Sequence, residues 1–121
     1  MKDNIALTKS EDFGVRIMNL YDYLIQRKAP KPIIIQIVKS GTSIGANLFE
    51  ASCTISDNDF LAKTYIYFKE SSETKYWLRL LYHTKYLPED LFQSLYNDCD
   101  EIFKILSATT KTLRTKLEKK K

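Results

Sequence analysis

Glu70 and Glu73 are the residues of this 121-residue chain whose type and spacing come closest to doing chemistry. Three positions apart on a helix they share one face, and with Glu50 from another segment they could serve as an acid/base pair or as ligands for two metal ions. A di-metal site in a helix bundle also supplies histidine in a Glu-x-x-His pattern. Here Glu70 is followed three residues on by Glu73, and the single histidine, His83, stands near the far end of the same segment. The competing reading has these carboxylates accepting hydrogen bonds from Gln36, Ser40, Ser43, Asn47 or Lys63 in a bundle or subunit seam, which predicts that Glu70→Gln costs stability.

Ser40 and Ser43 have no second histidine to activate them as nucleophiles, and His83 lies about 40 residues away with no acid in a recognisable frame. The segment GTSIGAN, Gly41 to Asn47, contains neither GxxxxGK nor GxGxxG, so a phosphate-cradling loop is unsupported. Cys53 and Cys99 are isolated and read as reduced packing residues. The expectation is therefore no catalytic residue, no metal, no cofactor and no small-molecule substrate. A hydrolase-like enzyme using the clustered Glu residues is the alternative, and a purely structural oligomeric scaffold is a third reading.

The elements that must position these groups are few and long. Gly and Pro together make 6 of 121 residues, too few for the many turns of a β-sandwich or barrel. Breaks fall at Pro30 and Pro32, at Ser56, Asp57 and Asn58, and at Pro88, leaving four segments. Ser10 reads as the N-cap of a first helix over about 10–28, with Phe13, Ile17, Leu20 and Leu24 on its apolar stripe. The second, about 32–55, carries a core stripe of Ile34, Ile37, Gly41, Ile44, Leu48, Ala51 and Ile55. Beside it runs a polar stripe of Gln36, Ser40, Ser43, Asn47 and Glu50.

Only Lys39 and Glu50 are charged between Pro32 and Ile55, whereas a helix with one face in water normally shows a charged outer side. Neighbouring copies are expected to cover it, with Gly41 and Gly45 where another backbone comes close. The third helix, about 57–82, is capped by Ser56, with Ile55 placed to staple onto Phe60. The fourth, about 88–117, follows Leu95, Cys99, Ile102, Leu106, Thr109 and Leu113. Helices of about 26 residues rise roughly 39 Å, and short connections force antiparallel neighbours. The reading is all-α: one domain, 1–121, forming an antiparallel up-and-down four-helix bundle that oligomerises.

Charge is unevenly placed. The net +4 divides into +5 on the last eleven residues and −1 on the first 110. Lys111, Arg114, Lys116, Lys119, Lys120 and Lys121 make a basic tail, 111–121, that could neutralise phosphates, or merely complement a helix C-terminus in solvent. Arg27, Lys28, Lys31 and Lys85 gather at the opposite end of such a bundle as a second basic surface. No run of about 18 uncharged apolar residues occurs, and the first ten residues have no signal-peptide pattern, so a cytoplasmic protein with no membrane partner is expected.

Two runs carry a family resemblance: QIVKSGTSIGANLFEA from Gln36 to Ala51, followed by Asp59-Phe60, and KESSETKYWL from Lys69 to Leu78. Together they resemble the four-helix-bundle proteins encoded within intervening sequences of bacterial 23S ribosomal RNA genes, over about Phe13 to Thr110. The architecture is more distantly similar to accessory proteins of diversity-generating retroelements, which act with a reverse transcriptase and nucleic acid. The resemblance implies an up-and-down bundle assembling into a ring-like homopentamer, without established catalysis and with a link to RNA or DNA. Members often carry a basic residue in the turn after the second-helix Glu; here Ser52 to Ile55 contains none, and Asp57 and Asp59 follow. The partners so implied are further copies of the chain and a nucleic acid or nucleic-acid enzyme.

Overall fold

Long stretches with an apolar position every three or four residues, broken only at the Pro and Ser/Asp/Asn clusters, leave the chain one economical way to bury its stripes: helix against helix. The computed structural model describes residues 5–54 and 56–120. Their helices are α1 (Ile5–Gln26), α2 (Lys31–Ala51), α3 (Asp57–His83) and α4 (Glu89–Lys119), with no strand among the described residues. Each helix packs beside its neighbours in the cyclic order α1, α2, α3, α4. Ile17 meets Gly41 while Ser10 meets Gly45, and Phe68 meets Phe103 while Tyr65 meets Arg114.

The expected core stripes of α1 and α2 are buried at Phe13, Ile17, Leu20, Leu24, Ile34, Ile37, Gly41, Ile44, Leu48 and Ala51. Ser10 departs from expectation. It is not a cap but a fully buried residue within α1, which starts five residues earlier because Ala6 extends the stripe by one turn. In α4 the stripe shifts from Thr109 to Thr110, as a 3.6-residue helix drifts off a strict seven-residue repeat. Cys99 is buried, but Cys53 is exposed in the α2–α3 turn rather than packed. α2 ends at Ala51, short of Ile55, where the hydroxyls of Ser52 and Thr54 bond back to the Phe49 and Ala51 carbonyls. Ile55 and its staple on Phe60 lie outside the described residues. The Ser56 cap is present: its hydroxyl accepts from the Asp59 amide at 3.1 Å.

α3 buries an unexpectedly polar face of Thr64, Tyr67, Ser71 and Thr74 before Leu78 and Leu81. Thr74 Oγ1 lies 2.9 Å from Ser40 Oγ, tying α3 to α2 inside the core. Tyr67 is fully buried, and its phenol is pushed well above its ordinary value by burial. The Cys99 thiol, donating to the Ser71 carbonyl at 3.5 Å, is pushed up to about 12 by burial, so it stays protonated and unreactive.

Gly41 and Gly45 do lie where helices approach closely, but the neighbour is α1 of the same chain. A Cβ at Gly41 would stand 2.8 Å from Ile17 Cγ1, and one at Gly45 would stand 3.3 Å from the Ser10 carbonyl oxygen. Nothing lies within 4 Å of a Cβ at Gly14. Gly14→Ala is expected to stabilise by about 1 kcal/mol through helix propensity. Gly41→Ala should lose that gain and destabilise by about 1–3 kcal/mol through overpacking. Urea melts of the two variants beside the parent test this pair, and equal shifts would contradict it.

Lys28 and Lys85, just past the ends of α1 and α3, hold left-handed backbone angles with φ of 58° and 70°. Glycine is the residue that takes such positions without steric penalty. Lys28→Gly and Lys85→Gly should therefore each leave stability unchanged or raise it by about 1 kcal/mol, read as a higher melting temperature.

Candidate functional site

The three carboxylates singled out by the sequence do not converge with the polar stripe of α2. Glu73 accepts from Trp77 Nε1 at 3.0 Å, and Glu50 lies 3.9 Å from the Lys63 ammonium. Ser43 donates to the Lys39 carbonyl and Asn47 to the Ser43 carbonyl, while Ser40 faces Ile37 O and Thr74. Within one chain, Lys63 of the expected partners reaches Glu50 as an ion pair, and no hydrogen bond from Gln36, Ser40, Ser43, Asn47 or Lys63 to Glu70 or Glu73 occurs among the described residues. The physical reason is local, because Ser, Thr and Asn within a helix reach their own preceding-turn carbonyls first. No group of three or more His, Cys, Asp or Glu side chains that could hold a metal occurs among the described residues. Gln36 and Glu50 are exposed, Ser43 and Asn47 half-buried, and only Ser40 of that stripe is in the core.

The outer face of α1 and α2 is unexpectedly apolar. Val15, Met18, Ile35 and Phe49 are each more than half exposed. A shallow groove of about 390 Å³ runs between the two helices, lined by Gly14, Val15, Met18, Thr42, Ala46 and Phe49. On α3, Tyr65, Ile66 and Tyr76 are also exposed.

Cations mark both ends. Along the body, charges are paired: Lys9 with Glu101 at 3.0 Å, Arg16 with Asp98 at 2.6 Å, and Asp100 between Lys75 at 2.7 Å and Lys104 at 3.0 Å. The hydrogen bonds from those two lysines hold the Asp100 carboxyl below its ordinary value. None of these pairings was read from the sequence, since only Asp100 and Lys104 are close enough along one helix to be guessed.

In the last turns of α4, Lys111, Lys116, Lys119 and Lys120 line an open groove of about 630 Å³ with Thr112 and Thr115. Arg114 is anchored, donating to Tyr65 Oη at 2.7 Å with its guanidinium over the ring, and Lys116 lies 3.7 Å from Asp57. Lys121 lies outside the described residues. At the opposite end, Arg27 and Lys85 share a pocket of about 460 Å³ with Tyr82, His83, Leu87 and Pro88, and Lys28 in the α1–α2 connection and Lys31 at the start of α2 are exposed. Tyr82 and His83 at this pocket were not anticipated, and no spacing signal in the sequence brings them to Arg27.

These features define the class: an all-α, four-helix protein with cationic ends and a neutral, partly apolar flank. The family model for the 23S rRNA-intervening sequence protein matches residues 2–108, and the chain belongs to that family. It is similar to a crystal structure of a protein of unknown function from the S23 ribosomal protein family of Bacteroides thetaiotaomicron. The two are 43% identical with a TM-score of 0.86, the match covering 88% of this chain and 99% of that one. No curated protein matches the chain. No helix is long and apolar enough to cross a membrane among the described residues.

Glu70 carries a consequence for stability. Burial first, and then the neighbouring Glu73 charge, raise its carboxyl above the ordinary value. The folded chain thus holds that proton more tightly than the unfolded chain does. Its contribution is fully present below the unfolded pKa and is lost as pH rises through the folded one. Glu70→Gln is therefore expected to raise the melting temperature at neutral pH, contrary to the cost that a hydrogen-bonded seam implies. The gain should shrink as the pH is lowered to about 4. A lower melting temperature for the variant at neutral pH would show that the carboxylate is held by a partner.

Proposed function

We propose that the chain is a non-enzymatic, homo-oligomeric, antiparallel up-and-down four-helix bundle that binds RNA or DNA, or an enzyme acting on them, through the basic end of α4. The observation that carries the reading is the groove of Lys111, Lys116, Lys119 and Lys120, which faces solvent and in which, among the described residues, a single ion pair, Lys116 to Asp57, engages any of the four lysines. The two exposed apolar surfaces support self-association. Covering a side chain such as Val, Met, Ile or Phe contributes about 1.5–3 kcal/mol. The four large residues on the α1/α2 flank, joined to Ile66 and Tyr76 of a second copy, reach the range of the estimated 4–15 kcal/mol cost of association. A homopentamer in the cytoplasm of a bacterium is the form implied by the family resemblance, and a ring would multiply weak phosphate contacts into avid binding. Glu73 accepts from Trp77 Nε1 and Glu50 lies beside the Lys63 ammonium, which supports a structural rather than a hydrolytic reading of these two carboxylates.

Phosphate contacts are salt-dependent and carry little sequence preference. Titration of labelled RNA and DNA with the full chain, and with a version ending at Thr110, across a salt series reads both. The full chain is expected to bind more tightly and with a steeper salt slope than the shortened one. Equal affinities and slopes would show that the tail is only a solvated helix end.

A further inference from the structure

The end of the bundle opposite the tail carries an arrangement that the fold does not need. Both turns there, after α1 and after α3, place a lysine in left-handed backbone where glycine would sit without penalty. Strain of this kind is kept where the side chain itself is wanted. Neither Lys28 nor Lys85 is in an ion pair among the described residues, nor is Lys31 or Arg27. Two acids also lie at this end: Glu89 accepts from the Oη of Tyr82, a wall of the pocket, at 3.2 Å, and Asp90 accepts from the Leu91 amide at 2.9 Å, against four cations without an ion pair among the described residues. α2 starts at the same end with Lys31 and no acidic residue in its first turn, while the C-termini of α1 and α3 offset the helix dipoles there, so the positive field is that of the side chains.

Into this field opens the pocket of about 460 Å³ with Arg27, His83 and Lys85 as donors and Leu87, Pro88 and the Tyr82 ring as walls. Arg27 is steadied over the Tyr23 ring, 4.4 Å from its centroid. Its planar guanidinium can meet two oxygens of one anion at once, while the lysines act as mobile point charges around it.

We propose that this pocket is a second nucleic-acid contact, a seat for one nucleotide of a strand. The phosphate lies among Arg27, His83 and Lys85, with Lys28 in the adjoining turn after α1, and the sugar or base lies against Pro88 and Tyr82. It rests on the nucleic-acid reading above and adds to it a pole that the tail does not reach. The volume suits a single nucleotide, and a donor set flanked by apolar walls suits a phosphate attached to a flat group better than a bare anion. α4 alone rises about 46 Å over its 31 residues, so a strand held at both poles would run the length of the bundle.

The left-handed lysines make the test clean, because replacing them by glycine removes the charge and eases the backbone together. The probe is labelled single-stranded RNA, with and without a 5′-phosphate, titrated by fluorescence anisotropy against the full chain, K28G/K85G and R27Q. The double variant should melt at the same temperature or higher, yet bind about tenfold more weakly, with a salt slope shallower by about one per lysine. R27Q should lose binding comparably. Within that result, preference for the phosphorylated strand assigns the pocket to a terminal phosphomonoester, and equal binding assigns it to internal phosphodiesters.

Unchanged affinity and slope in the folded double variant would overturn this pocket while leaving the tail reading intact. Failure of the parent chain to bind any RNA or DNA would overturn both. Poly-glutamate binding as tightly as RNA, with the same loss in the variants, would overturn the phosphate assignment in favour of an acidic protein surface.

Discussion

The close approach of α2 to α1 is the constraint on which the rest of the structure depends. With no side chain at Gly41, Ile17 fills the notch, and at Gly45 the helix lies almost on the Ser10 carbonyl. On the other flank Ser40 meets Thr74 of α3 inside the core. Small residues on both flanks let α2 sink between its neighbours and fix the register of three helices at once, because overpacking and an unpaired buried hydroxyl both penalise a slip. That register sets what remains outside. α1 and α2 turn Val15, Met18, Ile35 and Phe49 outward, so a flank with few charges follows from the packing of the core.

The same register sorts the charges. Along the body, acids and bases from facing helices come within ion-pair distance, and Asp100 takes two lysines. The exposed ones among these pairs, such as Lys9 with Glu101, contribute little to stability, about 0–1 kcal/mol each. Their larger effect is to neutralise the body and leave the excess positive charge at the poles. Long-range steering of a polyanion depends on that residue of unpaired charge rather than on the net +4 of the chain.

Most of the helical architecture was legible in the sequence because α1 and α2 announce their buried faces with large aliphatic residues at alternating spacings of three and four. α3 was less so. Ahead of Leu78 and Leu81 its core positions are Thr64, Tyr67, Ser71 and Thr74, which hydropathy counts as surface, although the small hydroxyl residues Thr64, Ser71 and Thr74, bonding back to their own turn, fit well between close helices. Ser10 misled for the same reason, since a buried serine and a capping serine look alike until the preceding turn is known to be helical. The candidate site was legible only as charge. The tail and the lysines of the other pole stand out in the sequence, but the pocket that joins Arg27 to His83 and Lys85 is made by the cyclic order of helices. The polar stripe beside the core of α2 is real as a pattern; within one chain Ser43 and Asn47 bond back to their own helix, while Ser40 meets Thr74 of α3.

The central claim is that an isolated bundle with this flank is incomplete, and the mass of the protein in solution tests it most directly. Native mass spectrometry, or light scattering at micromolar concentration, should return a multiple of the 14.1 kDa chain, with five copies the form proposed. A stable species of 14.1 kDa over that concentration range would contradict the account, because the apolar flank of α1 and α2 would then face water with nothing to cover it.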